Sequence, residues 1–152
     1  MLRMRKGHVV TMASMASFTS IPGLVEYCVS KIGALYLNDG LRAECLSRYP
    51  GGEGIRTTSV HPSWHATAIL KGSEEKLKKL GIVPDPATNV TDLVVEQVLK
   101  ARSGRLHVPK GQEKWAGIGH WPLWVKDILF GNVLAQKKGF RSGDGGTDPN
   151  PA

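Results

Sequence analysis

The feature that most constrains this chain is an alternation of short extended runs with longer stretches of helical period. His8–Met12 (HVVTM) and Ile55–His61 (IRTTSVH) are short and rich in β-branched residues, as buried strands are. Arg105–Pro109 (RLHVP) is a third short strand. Between the first two lies a helical stretch over 26–48, with Val29, Ile32, Leu35, Tyr36, Leu41 and Cys45 near helical spacing. Between the second and third lies an amphipathic helix over 91–102 (TDLVVEQVLKAR), with Gly104 placed just past its end as a C-cap. Strand–helix–strand–helix–strand with connections of this length predicts crossovers and a parallel α/β sheet.

Punctuation along the chain agrees. A small-residue segment, Ala13–Ser17, and a loop around Pro22-Gly23 separate the first strand from the long helix, and Tyr49-Pro50-Gly51-Gly52 ends that helix. Gly33, Ala34 and Gly40 lower its intrinsic propensity, which predicts close packing rather than a free surface. Pro62 stops the second strand, 73–80 reads as a short charged helix, and Pro84-Asp85-Pro86 breaks the chain again. At 152 residues one sizeable core is expected, and no internal repeat is visible.

The formal charge of +7 raises the question of nucleic acid. The excess is diffuse, with no basic stripe alternating with aromatics, so no nucleic-acid partner is expected. The two cysteines, Cys28 and Cys45, fall in the one predicted helix, roughly 25 Å apart at its rise, and cannot bridge. That favours a reducing compartment. His61, His65, His107 and His120 follow no ligand spacing, so no metal is expected. The chain lacks a signal-peptide apolar region and an uninterrupted spanning stretch. The expectation is an intracellular protein, cytoplasmic or peripherally attached to an intracellular membrane.

Chemistry concentrates in Tyr27-Cys-Val-Ser-Lys31. Positions i and i+4 of a helix lie one above the other, so phenol and ammonium share one small site. A neighbouring cation favours the phenolate, which is the tuning a tyrosine acid/base requires. Ser14 lies 13 residues before Tyr27, at the mouth of the first strand. Its hydroxyl can donate to a carbonyl oxygen as negative charge develops there. Tyr-x-x-x-Lys by itself is common. Its place after a strand ending in small hydroxyl residues, and before a strand ending in His61-Pro62, sets it apart.

With these segments the sequence resembles the short-chain dehydrogenase/reductase family, from Lys6 to Pro109: KGHVVTMASMASF, YCVSKIGALYLNDGLRAE and GIRTTSVHPSWHATAIL. The resemblance implies that Ser14, Tyr27 and Lys31 are catalytic, and that Tyr27 and Lys31 also contact an NAD or NADP cofactor. It implies that the turn Pro62-Ser63-Trp64-His65-Ala66-Thr67 lies against the nicotinamide, through Pro62, Ser63, His65 and Thr67. Ser63 stands where the family pattern has glycine. The segments look most like the membrane-associated members acting on retinoids, sterols and other lipophilic alcohols or ketones.

The implied fold is the second half of a Rossmann-type doubly wound sheet. Residues 1–112 would form the C-terminal half of the oxidoreductase domain, 113–136 a Trp-rich segment and 137–152 a disordered tail. The Gly-rich turn that receives the pyrophosphate is not found after any strand. The chain is therefore expected to be truncated, with its first strand an exposed apolar edge and little dehydrogenase activity alone.

Other features take blander readings. Asp39 and Glu44 read as solvated, and Lys76, Lys78 and Lys79 as a solvated face in a lid-like region. For the segment 115–134, with Trp115, Trp121 and Trp124, two readings stay open. It is either a helix lying in a membrane interface, or one packed on the domain and lining the substrate pocket, with Pro122 a kink in either. A rival function of another class stays open too: a non-catalytic fragment acting by dimerisation or at a membrane surface.

Overall fold

The computed structural model describes residues 1–128 except 22, 71, 73 and 80. The three expected strands form one parallel sheet. β1 (Gly7–Met12) pairs with β2 (Ile55–Pro62), from Gly7↔Ile55 to Met12↔Val60. On its other side β2 pairs with β5 (Gly104–Val108), from Thr58↔Gly104 to Pro62↔Val108. Two short strands precede β5 in the chain: β3 (His65–Ala66) and β4 (Asp85–Pro86), which pair in parallel with each other. This pair is not legible in the sequence, because two residues carry no period and one of the four is a proline.

Helices α1 (Val25–Ser47) and α3 (Thr88–Leu99) make the crossovers, and α2 (Glu74–Lys79) lies between β3 and β4. Register shows that the crossovers cover opposite faces of the sheet. Val60 and Val108 are sealed by Val90, with Leu93 and Val94 of α3 and Val10 and Leu106 packed around them. The alternate residues Thr11, Ser59 and Arg105 point the other way, where Asn38 of α1 donates to the Thr11 hydroxyl and Asp39 pairs with Arg105. The α3 face holds the apolar core around Val60 and Val108, bordered by buried Thr58, whose hydroxyl meets His8 at 2.8 Å and donates to the Arg102 carbonyl at 3.2 Å. The α1 face is polar, with Thr57, Ser59 and His61 all buried in β2.

Several sequence expectations change. Asp39 is not simply solvated, since its carboxylate receives the Arg105 guanidinium at 2.5 Å and ties α1 to β5. Glu44 does stay at the surface, 3.7 Å from Arg48. Gly33 and Gly40 are exposed, and a Cβ added to either meets nothing within 4 Å, so close packing does not explain them. The helix α3 begins three residues earlier than its apolar period suggested.

Gly104 does not cap α3; it opens β5. The cap is Ala101, left-handed at φ 48°. Its N–H reaches the Val98 carbonyl at 3.0 Å and that of Arg102 reaches Gln97 at 3.3 Å. This double closure normally uses glycine. Alanine in that conformation is strained, so Ala101→Gly is expected to raise stability by about 0.5–1 kcal/mol, net of the added freedom of the unfolded chain. An unchanged urea midpoint would show that the strain is absorbed elsewhere.

Among the described strands β1 is an edge, paired only with β2, and its Val9 and Val10 are half-buried. Cys28 and Cys45 both lie in α1, unpaired. The Trp-rich region is not one helix. It breaks into α4 (Glu113–Ala116), a 3-10 turn over Gly117–His120 and, after Pro122, α5 (Leu123–Lys126). It is held through buried Ile118, while Trp115 and Trp124 are 55% and 66% exposed. No helix among the described residues is long and apolar enough to cross a membrane. The expectations for 129–134 and for the tail lie outside the described residues.

Candidate active site

The C-terminal ends of β1 and β2 and the first turns of α1 bring the expected catalytic residues to one end of the sheet. Ser14 follows β1 and caps a 3-10 turn over Met15–Ser17, its oxygen accepting from the Ala16 amide at 3.2 Å. The same hydroxyl donates to the Pro62 carbonyl at 3.4 Å, a long contact, so the loops after β1 and β2 meet at this serine.

Tyr27 and Lys31 occupy the first two turns of α1, on the face that also carries Ala34 and Asn38. The Lys31 ammonium lies 5.5 Å from the Tyr27 ring centroid and donates to the Met12 carbonyl at 3.1 Å. An ammonium has three donors, so this contact leaves two. The helix is pinned at the same level by Ser17, whose buried hydroxyl donates to the Lys31 carbonyl at 2.9 Å. No hydrogen bond among the described residues joins the Ser14 hydroxyl to the Tyr27 phenol.

The turn after β2 is anchored at its base, where the Ser63 amide donates to the Val108 carbonyl at 2.8 Å. His65 is buried, with Nδ1 at 3.2 Å from the Ser63 carbonyl and Nε2 without a hydrogen-bond partner among the described residues. Thr67 is exposed. The β3–β4 pairing and the Asp85 amide, 2.9 Å from the Trp64 carbonyl, fix the outer edge of this turn.

Behind Ser14 sits His61, fully buried. Burial pushes its imidazole down from the ordinary 6.5 to about 4, opposed by the contact to the Ser14 carbonyl and reinforced by His107 and Arg105. Burial lowers His107 and His8 as well. The unfolded chain takes up a proton at His61 below about 6.5, the folded protein only near 4. Stability is therefore full above pH 6.5 and is lost as pH falls toward 4, by as much as roughly 3 kcal/mol from His61. Urea titrations at pH 7 and pH 4.5 read this loss, and a flat profile would contradict a neutral buried ring.

Beyond geometry, a family model described as short chain dehydrogenase matches residues 1–78. The chain belongs to the short-chain dehydrogenase family. It is 35% identical over 77 residues to estradiol 17-beta-dehydrogenase 11 of Rattus norvegicus, covering 51% of this chain and 25% of that protein. It is 29% identical over 113 residues to epidermal retinol dehydrogenase 2 of Mus musculus, covering 72% of this chain and 34% of that one. A solved short-chain dehydrogenase from Sphingobium yanoikuyae, in complex with NADPH, superposes with a TM-score of 0.53 at 17% identity. That match covers 98% of this chain and 52% of the other, and shows the shared fold. The chain spans about a quarter to a third of these two relatives' lengths.

Two parts of this short-chain dehydrogenase family member escaped the sequence. The histidines looked scattered, yet His61 and His107 are register partners with rings stacked at 5.3 Å, and Phe18 lies 4.7 Å from His61. The available signal was alternation, since Ser59 and His61 fall on one side of β2. Asn38 is the second. It is 3% exposed and donates to the Thr58 carbonyl as well as to Thr11. Its signal was its place on the Tyr27/Lys31 face of the helix.

A cleft of about 630 Å3 lies on a different face of α1, between Val25, Val29, Ile32 and Tyr36 and the segment carrying Gly119 and Lys126. Ser14, Tyr27 and Lys31 do not line it. The Trp-rich region meets the domain at Gly119, where a Cβ would lie 2.9 Å from the Phe18 carbonyl oxygen, and it buries Ile118 while Trp115 and Trp124 stay exposed.

Proposed function

We propose that this chain carries the proton-handling part of a nicotinamide-dependent oxidoreductase that interconverts a lipophilic alcohol and its carbonyl. The observation that carries the reading is Lys31 seated beside Tyr27 on α1, with Ser14 held at the mouth of β1. In reduction Tyr27 donates its phenolic proton to the carbonyl oxygen, and in oxidation the phenolate takes the alcohol proton. Lys31 stabilises the phenolate by its charge. Ser14 releases its long contact to Pro62 and donates to the substrate oxygen. The nicotinamide, when bound, supplies or accepts the hydride.

The residues present fit the nicotinamide riboside end of NAD or NADP. Lys31 has unspent donors for ribose hydroxyls, and the turn Pro62–Thr67 offers the orphaned His65 Nε2, the Ser63 side chain and the exposed Thr67 hydroxyl for the carboxamide side. No glycine-rich phosphate turn follows any described strand, so slow turnover is the expectation for these 152 residues by themselves. The names of the two mammalian relatives, a steroid and a retinol dehydrogenase, support a lipophilic substrate.

Titration of NADH and NADPH against tryptophan emission tests the reading. Saturable quenching is expected, weakened at least tenfold in Lys31→Ala. Absence of saturable binding for both coenzymes at millimolar concentration would overturn it. That result would favour the second reading, a non-catalytic module that dimerises or rests on a membrane surface. Exposed Val29 and Tyr36 on α1, and Leu123 and Trp124 near the end of the described chain, are what favour that alternative.

A further inference from the structure

We infer that His61 is the positioning residue of Ser14, holding its main chain through a single fixed tautomer while the hydroxyl stays free to turn. The inference rests on the reading of Ser14 as the hydroxyl that meets the substrate oxygen. His61 Nδ1 lies 3.1 Å from the Ser14 carbonyl. A carbonyl only accepts, so Nδ1 carries the proton. The neutral ring then presents a lone pair at Nε2, and the Ser59 hydroxyl, 2.9 Å away, donates to it. A directed chain runs from the Ser59 hydroxyl through the imidazole to the Ser14 carbonyl.

The ring cannot readily leave this position. It is fully buried, packed at 4.7 Å against Phe18 and stacked at an interplanar angle of 21° on His107. The next residue completes the grip, because the Pro62 carbonyl takes the Ser14 hydroxyl at 3.4 Å. Two consecutive residues of β2 therefore hold the two polar ends of Ser14 with unequal firmness. The main-chain bond is the shorter and sits deeper, whereas the hydroxyl contact is long and can be exchanged for a ligand oxygen. The groups that face His61 are His107 and Arg105 on β5 and Asp39 on α1. Asp39 and Arg105 pair with each other, so the ring stays neutral beside a compensated charge.

The test uses the isotope-labelled full chain without coenzyme, so that a failure of the oxidoreductase reading leaves it intact. Long-range imidazole spectra should show His61 protonated at Nδ1 near neutral pH; protonation at Nε2 would overturn the inference. The Ser14 carbonyl-carbon and Met15 amide resonances are then compared in His61→Asn and His61→Gln. Asparagine places its amide nitrogen where Nδ1 was, glutamine where Nε2 was, and both keep a polar side chain in the layer. Asparagine should hold the Ser14 and Met15 signals near their original positions, while glutamine shifts them by several linewidths. Equal displacement by both variants, or by neither, would reduce His61 to packing and sink the proposal.

Discussion

Tyr27→Phe is expected to lower turnover of a lipophilic ketone by about 10²–10⁴-fold, the scale of a positioned general acid. The change is surgical. Phenylalanine keeps the ring beside the Lys31 ammonium, and the backbone carbonyl that accepts from Ser30 at 2.7 Å is unaffected. Helix α1 should therefore remain in place, and its circular dichroism should match that of the unaltered chain. Since slow turnover is the expectation for this chain, the comparison is made at millimolar NADPH with both proteins at equal concentration. With parent turnover above the coenzyme-free blank, rates within twofold of each other would remove the phenol from the reaction.

The second large effect concerns folding. Gly52→Ala should cost at least about 3 kcal/mol, the upper range for overpacking a well-filled site. A Cβ on Gly52 would come 1.9 Å from the Cys45 carbonyl oxygen, a main-chain atom near the end of α1 that no rotamer change can move. Gly54 is constrained alike, its Cβ meeting the Arg5 carbonyl at 1.9 Å. The turn 51–54 thus sets how closely the end of α1 and the segment before β1 approach β2. A urea midpoint for Gly52→Ala close to that of the parent would mean that this approach is looser than the backbone distances require. Gly33→Ala offers the contrast, since its added Cβ meets nothing.

What could be read from the sequence was whatever a single element carries. β1, α1, β2, α3 and β5 announced themselves because each has its own period, and their order implied the parallel sheet. Tyr27 and Lys31 were legible because one helix supplies both. What escaped required two elements at once. Asp39 looked solvated until β5 brought Arg105 beside it. His61 and His107 looked scattered because 46 positions separate them in sequence, although register places them side by side. Ala101 was hidden for another reason. A left-handed cap is expected at glycine, which points to Gly104, whereas the conformation is adopted by an alanine three positions earlier.

The opposite characters of the sheet's two faces bear on how this protein can change. On the α3 side, Val60, Val108 and Val90 are bound by volume alone, and any set of aliphatic residues that fills the same space should serve. On the α1 side, Thr11, Ser59, His61 and Asn38 are joined donor to acceptor, and a substitution there must replace a bond, not a volume. Sequence drift should therefore run freely at the three valines and stall at the bonded residues in front of the sheet. A library randomised over the valines would return many folded variants that keep the Ser14 site, whereas one randomised over Ser59, His61 and Asn38 would return few.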